Sequence, residues 1–241
     1  MKRIFGGDDA TEGQYPFLVM ILLVKDGNTF VCTGSILSST WVLTAAHCLC
    51  HSDNVITKVT VEYGSVFKSK LKQQQVKRTI VHPGYAKNES PYFVVNDIGL
   101  IELCSPLDMS LPGVEPICFA RDDLAYAGKV TAIGWGKTQD SSSPEVLQHV
   151  TLDTYPVANC KIYHTFFKSD LRDEQNKICT NTFGKYQCQG DSGGPLIAEV
   201  APRCHVQLGI TSYGTCSRIL PGVSTKISSF ADWICQSTLL C

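Results

Sequence analysis

The chain has 241 residues, of which 44% are hydrophobic and 18% are charged, and its formal net charge is −1. A chain of this length and composition can bury a sizeable core within one domain, which excludes a disordered protein. The near-neutral charge gives no reason to expect nucleic acid or an anionic membrane as a partner. The longest uninterrupted apolar run, from Phe17 to Val24, has eight residues and is too short to span a bilayer.

Short runs rich in β-branched and aromatic residues recur along the chain, with Gly, Pro, Asn and Ser between them. They predict strands at 17–24, 59–63, 79–81, 98–103, 130–133, 148–151, 195–198 and 206–210. Two stretches are typical of helices: 157–167, which follows Pro156, and 229–239, where Ser229 is expected to cap the first turn. Because no alternating helices could cover a parallel sheet, the pattern favours an all-β barrel or sandwich.

Twelve cysteines are spread along the chain. Such a number is typical of disulfide-bonded proteins, so we expect a secreted, extracellular protein. The chain opens on Met1-Lys2-Arg3 without an apolar leader, and we therefore expect a signal peptide to have been removed. The string His47-Cys48-Leu49-Cys50-His51 carries zinc-type donors, but no second compact Cys/His pair follows it. A metal site is the weaker interpretation, and no cofactor is expected.

Three short strings carry residues capable of catalysis: 44–48 with His47, 96–100 with Asp97, and 190–195 with Ser192. Taken singly, the histidine could be a core residue, the aspartate a strand-start cap and the serine part of a tight glycine turn. In the order His, Asp, Ser they resemble the trypsin/chymotrypsin family of serine proteases. The resemblance runs from Ile4 to the C-terminal helix and includes Ile4-Phe5-Gly6-Gly7, Ile133-Gly134-Trp135-Gly136 and Pro221-Gly222-Val223.

The resemblance implies an all-β fold of two packed antiparallel six-stranded β-barrels with a C-terminal helix. It also implies an activation remnant at 1–3 and a protease domain at 4–241. Ser192 would be the nucleophile of a secreted serine endopeptidase, His47 its general base and Asp97 the group that orients the base, in the triad for which this family is the standard example. The backbone N–H groups of Gly190 and Ser192 would form the oxyanion hole.

An activation switch is implied at the start of the chain. Arg3-Ile4 matches the family's zymogen junction, and cleavage there would free the Ile4 α-amine to pair with Asp191. The expected partners are protein or peptide substrates and a separate trypsin-like activating protease, with protein protease inhibitors as further candidates. We expect a monomer that binds neither nucleic acid nor membrane.

Substrate preference in this family depends mainly on the residue six before the nucleophile, which is Tyr186 here and aspartate in trypsins. Cleavage after Lys or Arg is therefore disfavoured. The Tyr186 phenol could fill the volume left by Ser224, which replaces a tyrosine common in trypsins, and so make a shallow neutral pocket. The implied pocket residues are Tyr186, Gln187, Gln189, Ser212, Tyr213, Gly214, Gly222 and Ser224. A blocked pocket leaves a second class open, a catalytically weak protease-like regulatory or binding protein.

The resemblance implies three disulfides: Cys32 with Cys48, Cys160 with Cys179, and Cys188 with Cys216. The remaining six cysteines leave their pairing open, and we expect Cys118 to pair with Cys204. Asn88-Glu89-Ser90 fits the N-glycosylation sequon and predicts a glycoprotein. The segment 68–78 holds five basic residues and no acid. This favours a solvated loop over an exosite for an acidic partner, and it offers no carboxylate ligand for calcium.

Overall fold

The computed structural model describes residues 6–50, 56–87, 94–123, 128–166, 173–201, 204–213, 216 and 220–241. Arg3, Ile4, Asn88 and Gly214 lie outside these residues. The strands in chain order are β1 (Asp8–Asp9), β2 (Leu18–Lys25), β3 (Asn28–Ile36), β4 (Trp41–Thr44), β5 (Ile56–Tyr63), β6 (Lys72–Val81), β7 (Ala86–Lys87), β8 (Val94–Val95), β9 (Gly99–Leu103), β10 (Cys118–Phe119), β11 (Lys129–Gly134), β12 (Gln148–Tyr155), β13 (Lys177–Thr180), β14 (Pro195–Ala201), β15 (Cys204–Tyr213) and β16 (Gly222–Lys226). The α-helices are α1 (Ala46–Leu49), α2 (Val157–Phe166) and α3 (Ala231–Thr238).

The strands form two closed antiparallel barrels. The first follows the order β2-β3-β4-β9-β6-β5, and β5 pairs back onto β2. The second follows the order β12-β11-β14-β15-β16-β13, and β13 closes it on β12. At its edges β1 pairs with β12, and β10 pairs with β15 in parallel. The prediction of two six-stranded barrels is therefore confirmed, and closure leaves few free edges.

The apolar run in β2 shows how the barrels pack. Successive side chains of a strand point to opposite faces of the sheet. Val19 and Ile21 accordingly enter the core of the first barrel, whereas Leu18 and Met20 join a second cluster with Ile133 and other residues of the second barrel. Both faces of β2 are buried, and this explains why the run lacks the polar alternation of a half-exposed strand.

The C-terminal helix is present, but its predicted start is wrong. The chain enters it through a 3₁₀ turn, Ile227–Phe230, and α3 begins only at Ala231. Ser229 lies inside that turn, and no side chain caps the helix. Ile227 and Phe230 are buried in the core of the first barrel, so packing fixes this entry instead of a cap. No helix in the described part of the chain is long and apolar enough to cross a bilayer.

The disulfides bridge Cys32 to Cys48, Cys160 to Cys179 and Cys188 to Cys216, which are the pairs that the resemblance implies. A fourth joins Cys235 to Cys241 at the C-terminus.

The expected Cys118–Cys204 pair is wrong, since both thiols are free and exposed. Cys118 stands opposite Val206 in the parallel register. Cys204 is therefore displaced along β15 by two residues, about 6.6 Å. With the spacing of about 4.8 Å between the strands, the two Cα atoms lie about 8 Å apart, which is too far for a disulfide.

Candidate active site

His47 and Asp97 meet where α1 lies over the end of the first barrel. His47 belongs to α1, and Asp97 lies two residues before the start of β9, which pairs with β4. One Asp97 oxygen accepts a hydrogen bond from the His47 backbone N–H at 2.9 Å, and the other lies 2.7 Å from Nδ1. The carboxylate thus holds both the backbone and the ring of the histidine.

The environment of Asp97 keeps its carboxylate ionised although it is completely buried. Burial raises its pKa, but the charge and hydrogen bonds of His47 and the hydroxyl of Ser212 lower it to about 2. Ser212, on β15, donates to Asp97 Oδ2 at 2.5 Å. Because an ionised carboxylate can only accept, Nδ1 of His47 carries the proton and Nε2 is free to act as a base.

Ser192 stands in a tight loop just before β14. Gly190 (φ +98°) and Gly193 (φ +78°) both adopt left-handed backbone conformations that glycine reaches without strain. The Thr33 hydroxyl donates a hydrogen bond to the Gly190 carbonyl at 2.8 Å, and the Thr33 N–H donates to the Ser192 carbonyl at 2.8 Å. A strand of the first barrel therefore holds the Ser192 loop of the second. The sequence did not indicate this role for Thr33.

A cleft of about 470 Å³ opens beside Ser192 and His47, and we call it the Phe30 cleft. Phe30, Lys68 and Trp135 also line it. The backbone N–H groups of Gly190 and Ser192 donate to no acceptor within the described ranges. Both N–H groups are thus available to a ligand.

Asp191 is also buried, but among the described residues its partners are only backbone N–H groups. The carboxylate accepts hydrogen bonds from Gly136 at 2.9 Å and from Cys188 at 2.8 Å. Burial outweighs these bonds and raises its pKa to about 7. Gly136 packs so closely on the carboxyl group that a Cβ there would collide with it. This contact explains the glycine in the Gly134-Trp135-Gly136 string.

Gln187, one of the predicted pocket residues, is buried beside Thr211 and Gly222. Its side chain is 2% exposed and donates to the Thr211 hydroxyl at 2.8 Å. Its Oε1 lies 3.3 Å from the position that a Cβ on Gly222 would take. Ser224 is buried, and its hydroxyl has no hydrogen-bond partner among the described residues, so the half-buried Tyr186 does not bond to it.

Two other predicted pocket residues, Tyr213 and Gln189, differ in exposure. Tyr213 ends β15 and is buried, whereas Gln189 is exposed beside the Ser192 loop. The Gln189 N–H contacts the sulfur of Cys216, whose disulfide joins this segment to Cys188.

Lys177 is a buried cation that sequence analysis missed. It is 3% exposed, and its ammonium donates to the Val94 carbonyl at 2.9 Å. The ammonium also lies 5.7 Å from the centre of the Tyr213 ring. Burial lowers its pKa, whereas the charges of Asp97 and Asp173 oppose that shift. Through this hydrogen bond the lysine links β13 to β8, close enough to Asp97 for the two charges to interact.

The described residues give little support to a metal site or to a free basic patch. Cys32, Cys48 and His47 come close enough to share an ion, but the two sulfurs are bonded to each other and offer no thiolate. In the basic segment, three cations pair with carboxylates: Lys72 with Asp108, and Lys77 and Arg78 with Glu102. These pairs reduce the positive field expected there.

Comparisons with known proteins agree with this geometry. The sequence model of the Trypsin family matches residues 4–234. Chymotrypsin-2 of Vespa crabro is 37% identical over 98% of this chain and all of its own length. The venom peptide isomerase heavy chain of Agelenopsis aperta is 32% identical over 97% of this chain and 99% of its own. The serine proteinase stubble of Drosophila melanogaster is 32% identical over 97% of this chain, which spans 31% of that protein.

Proposed function

Because the chain belongs to the trypsin family of serine endopeptidases, we propose that it hydrolyses peptide bonds with Ser192, His47 and Asp97. The observation that carries the proposal is the 2.7 Å contact between His47 Nδ1 and the ionised Asp97, with Ser192 in the same cleft. His47 Nε2 takes the proton of the Ser192 hydroxyl as the oxygen attacks the substrate carbonyl. The histidine then gives that proton to the leaving amine, and water hydrolyses the acyl-enzyme by the same steps.

The oxyanion of the tetrahedral intermediate is stabilised by two backbone N–H groups, those of Gly190 and Ser192. Both are unused within the described ranges, and the positive φ of Gly190 sets the direction of its amide. Donors fixed in advance stabilise charge as it develops, without reorganisation during the reaction.

Activation follows from the state of Asp191. A buried carboxyl group with no cation among the described residues is one that a new positive charge would stabilise. Cleavage between Arg3 and Ile4, outside the described residues, supplies such a charge as the Ile4 α-amine. The activating enzyme must bind the Arg3 guanidinium, which calls for a separate protease with a carboxylate in its pocket.

The specificity pocket is proposed to be neutral and polar. Tyr186 stands where a cation-binding carboxylate would be needed, and Gln187 spans the distance between Thr211 and Gly222. A Lys or Arg side chain would leave its charge unpaired there, so cleavage follows uncharged residues. The substrates are proteins or peptides, and the disulfides favour a secreted enzyme.

The test is labelling by a fluorophosphonate probe after trace trypsin has cut the chain after Arg3. We expect the label on Ser192 and none on Ser192→Ala, whose peptidase rate should fall by about 10⁶-fold. The buried Gln187 side chain beside Gly222 favours one alternative, a protease-like binding protein with a blocked pocket. Absence of label on a folded chain with an Ile4 N-terminus would support that alternative and reject the enzyme.

A further inference from the structure

The Phe30 cleft contains Ser192 and His47 but is lined mainly by residues outside the specificity pocket. Of the seven pocket residues that the structure describes, only Gln189 also lines the cleft. If the acyl part of a substrate occupies the pocket, as the proposed function requires, the chain beyond the scissile bond must enter the cleft next to His47. The cleft therefore receives the leaving-group side of the substrate.

The walls of the Phe30 cleft are apolar and positively charged. Leu23, Phe30 and Trp135 provide apolar surface, and Lys25 and Lys68 provide two cations. No Asp or Glu lines the cleft within the described residues. This charge balance differs from that of the whole chain, whose net charge is −1.

Lys68 is placed to bind an anion. Its ammonium donates one hydrogen bond, to the Ser143 hydroxyl at 2.8 Å, and forms no ion pair with a described carboxylate. The nearby Glu145 instead accepts hydrogen bonds from the Ser69 N–H at 2.9 Å and from the Ser69 hydroxyl at 2.5 Å. Burial lowers the Lys68 pKa and Glu145 opposes that shift. Because an ammonium has three N–H donors, two remain for a ligand.

We propose that the Phe30 cleft selects substrates with an acidic side chain among the first three residues after the scissile bond, and that Lys68 is the main residue that recognises it. Three extended residues span about 10 Å, which a cleft of this size accommodates. A carboxylate there replaces the water around a partly buried cation, and the apolar walls weaken solvent screening of the pair.

The test uses peptides with one fixed acyl part and Glu, Gln or Lys at each of the three leaving-group positions. For the trypsin-treated enzyme we expect kcat/KM to be about three- to tenfold higher with Glu than with Gln at one position, at low salt. Lys68→Met should bring this ratio close to one, and Lys68→Glu should invert it. Because the ratio is taken within each variant, a general loss of activity cancels.

Lys70→Met is the matched control, because Lys70 belongs to the same 3₁₀ turn as Lys68, Lys68–Lys70. Its ammonium stacks over the Phe67 ring, and the residue does not line the cleft. It should keep the ratio of the unsubstituted enzyme. A ratio of one in the unsubstituted enzyme, or a ratio that survives Lys68→Met, overturns the inference. Fluorophosphonate labelling and hydrolysis of an ester without a peptide leaving group test the proposed function separately. If both succeed while the ratio is one, only the cleft preference is rejected.

Discussion

Asp97 and Asp191 are both buried carboxyl groups close to Ser192, and their surroundings shift their pKa values in opposite directions. Asp97 has a histidine ring, a backbone N–H and the Ser212 hydroxyl around it, and its pKa falls to about 2. Asp191 has two backbone N–H groups, and its pKa rises to about 7. Burial is similar in the two, so the difference lies in the polar groups supplied to each charge.

Asp97 already has the ring of His47 beside it, whereas Asp191 has no cation among the described residues. The first barrel carries both His47 and Asp97, and their contact forms without any cleavage. Asp191 belongs to the second barrel, and the cation proposed for it comes from the far end of the chain. Four substitutions test this difference, and the first has the largest expected effect.

Asp97→Asn should lower kcat by about 10⁴-fold, the loss already known for this change in the triad of trypsin itself. The amide can donate to Nδ1, so the histidine loses the tautomer that leaves Nε2 able to accept a proton. Steady-state kinetics of the trypsin-treated variant measure the loss. A loss below tenfold would show that Asp97 does not set the state of His47.

Asp191→Asn should remove a pH dependence from the uncut precursor. In the folded chain the pKa of Asp191 is about 7, above its ordinary value of 3.8. The preference of the folded chain for the protonated group therefore contributes fully to stability below pH 3.8. This contribution is lost as pH rises through about 7, and its ceiling is about 4 kcal/mol. Urea unfolding from pH 4 to 8 should show a decline that the variant lacks.

Activation should reverse the direction of this dependence of stability on pH. Once the Ile4 amine pairs with Asp191, the pKa of Asp191 should fall below its ordinary value, and stability should be lost on acidification instead. Equal pH profiles for cut and uncut chains would contradict the proposed pairing.

Ser212→Ala should reduce kcat/KM by about tenfold, because it removes one charge-assisted hydrogen bond from Asp97 but leaves both His47 contacts. Ser228→Ala is the control, since Ser228 donates a similar bond at 2.7 Å to the exposed Asp123. Initial rates on one peptide compare the two variants. Equal losses of rate in the two variants would mean that burial of the accepting carboxylate does not determine how much its hydrogen bond contributes to kcat/KM.

Lys129→Met should have the smallest effect. Lys129 and Asp153 face each other on β11 and β12, 2.7 Å apart, with side chains 67% and 49% exposed. Water screens such a pair, so the Tm should equal that of the unsubstituted protein within error. A drop of several degrees in Tm would show that this exposed ion pair contributes as much to stability as the buried carboxyl groups do.

The sequence indicated the candidate catalytic strings more clearly than the strands that hold them. His47, Asp97 and Ser192 each have an ordinary explanation alone, and only their order and the strings around them point to serine-protease chemistry. The strands β13 and β16 were not predicted, because Lys177, Ser224 and Thr225 give no apolar pattern. Their burial depends on long-range partners, such as the hydrogen bond from Thr225 to the Asp97 carbonyl at 2.9 Å.

The contact between Thr33 and Gly190 has a consequence for the order of synthesis. The two residues are 157 positions apart, so the strands of the first barrel are synthesised long before the Ser192 loop exists. His47 and Asp97 then have no nucleophile beside them, and the loop has no strand to hold it until the second barrel docks. A truncated or half-made chain therefore lacks hydrolytic power, whatever the state of its N-terminus. Correct docking of the two barrels is therefore a condition for activity that does not depend on cleavage near the N-terminus.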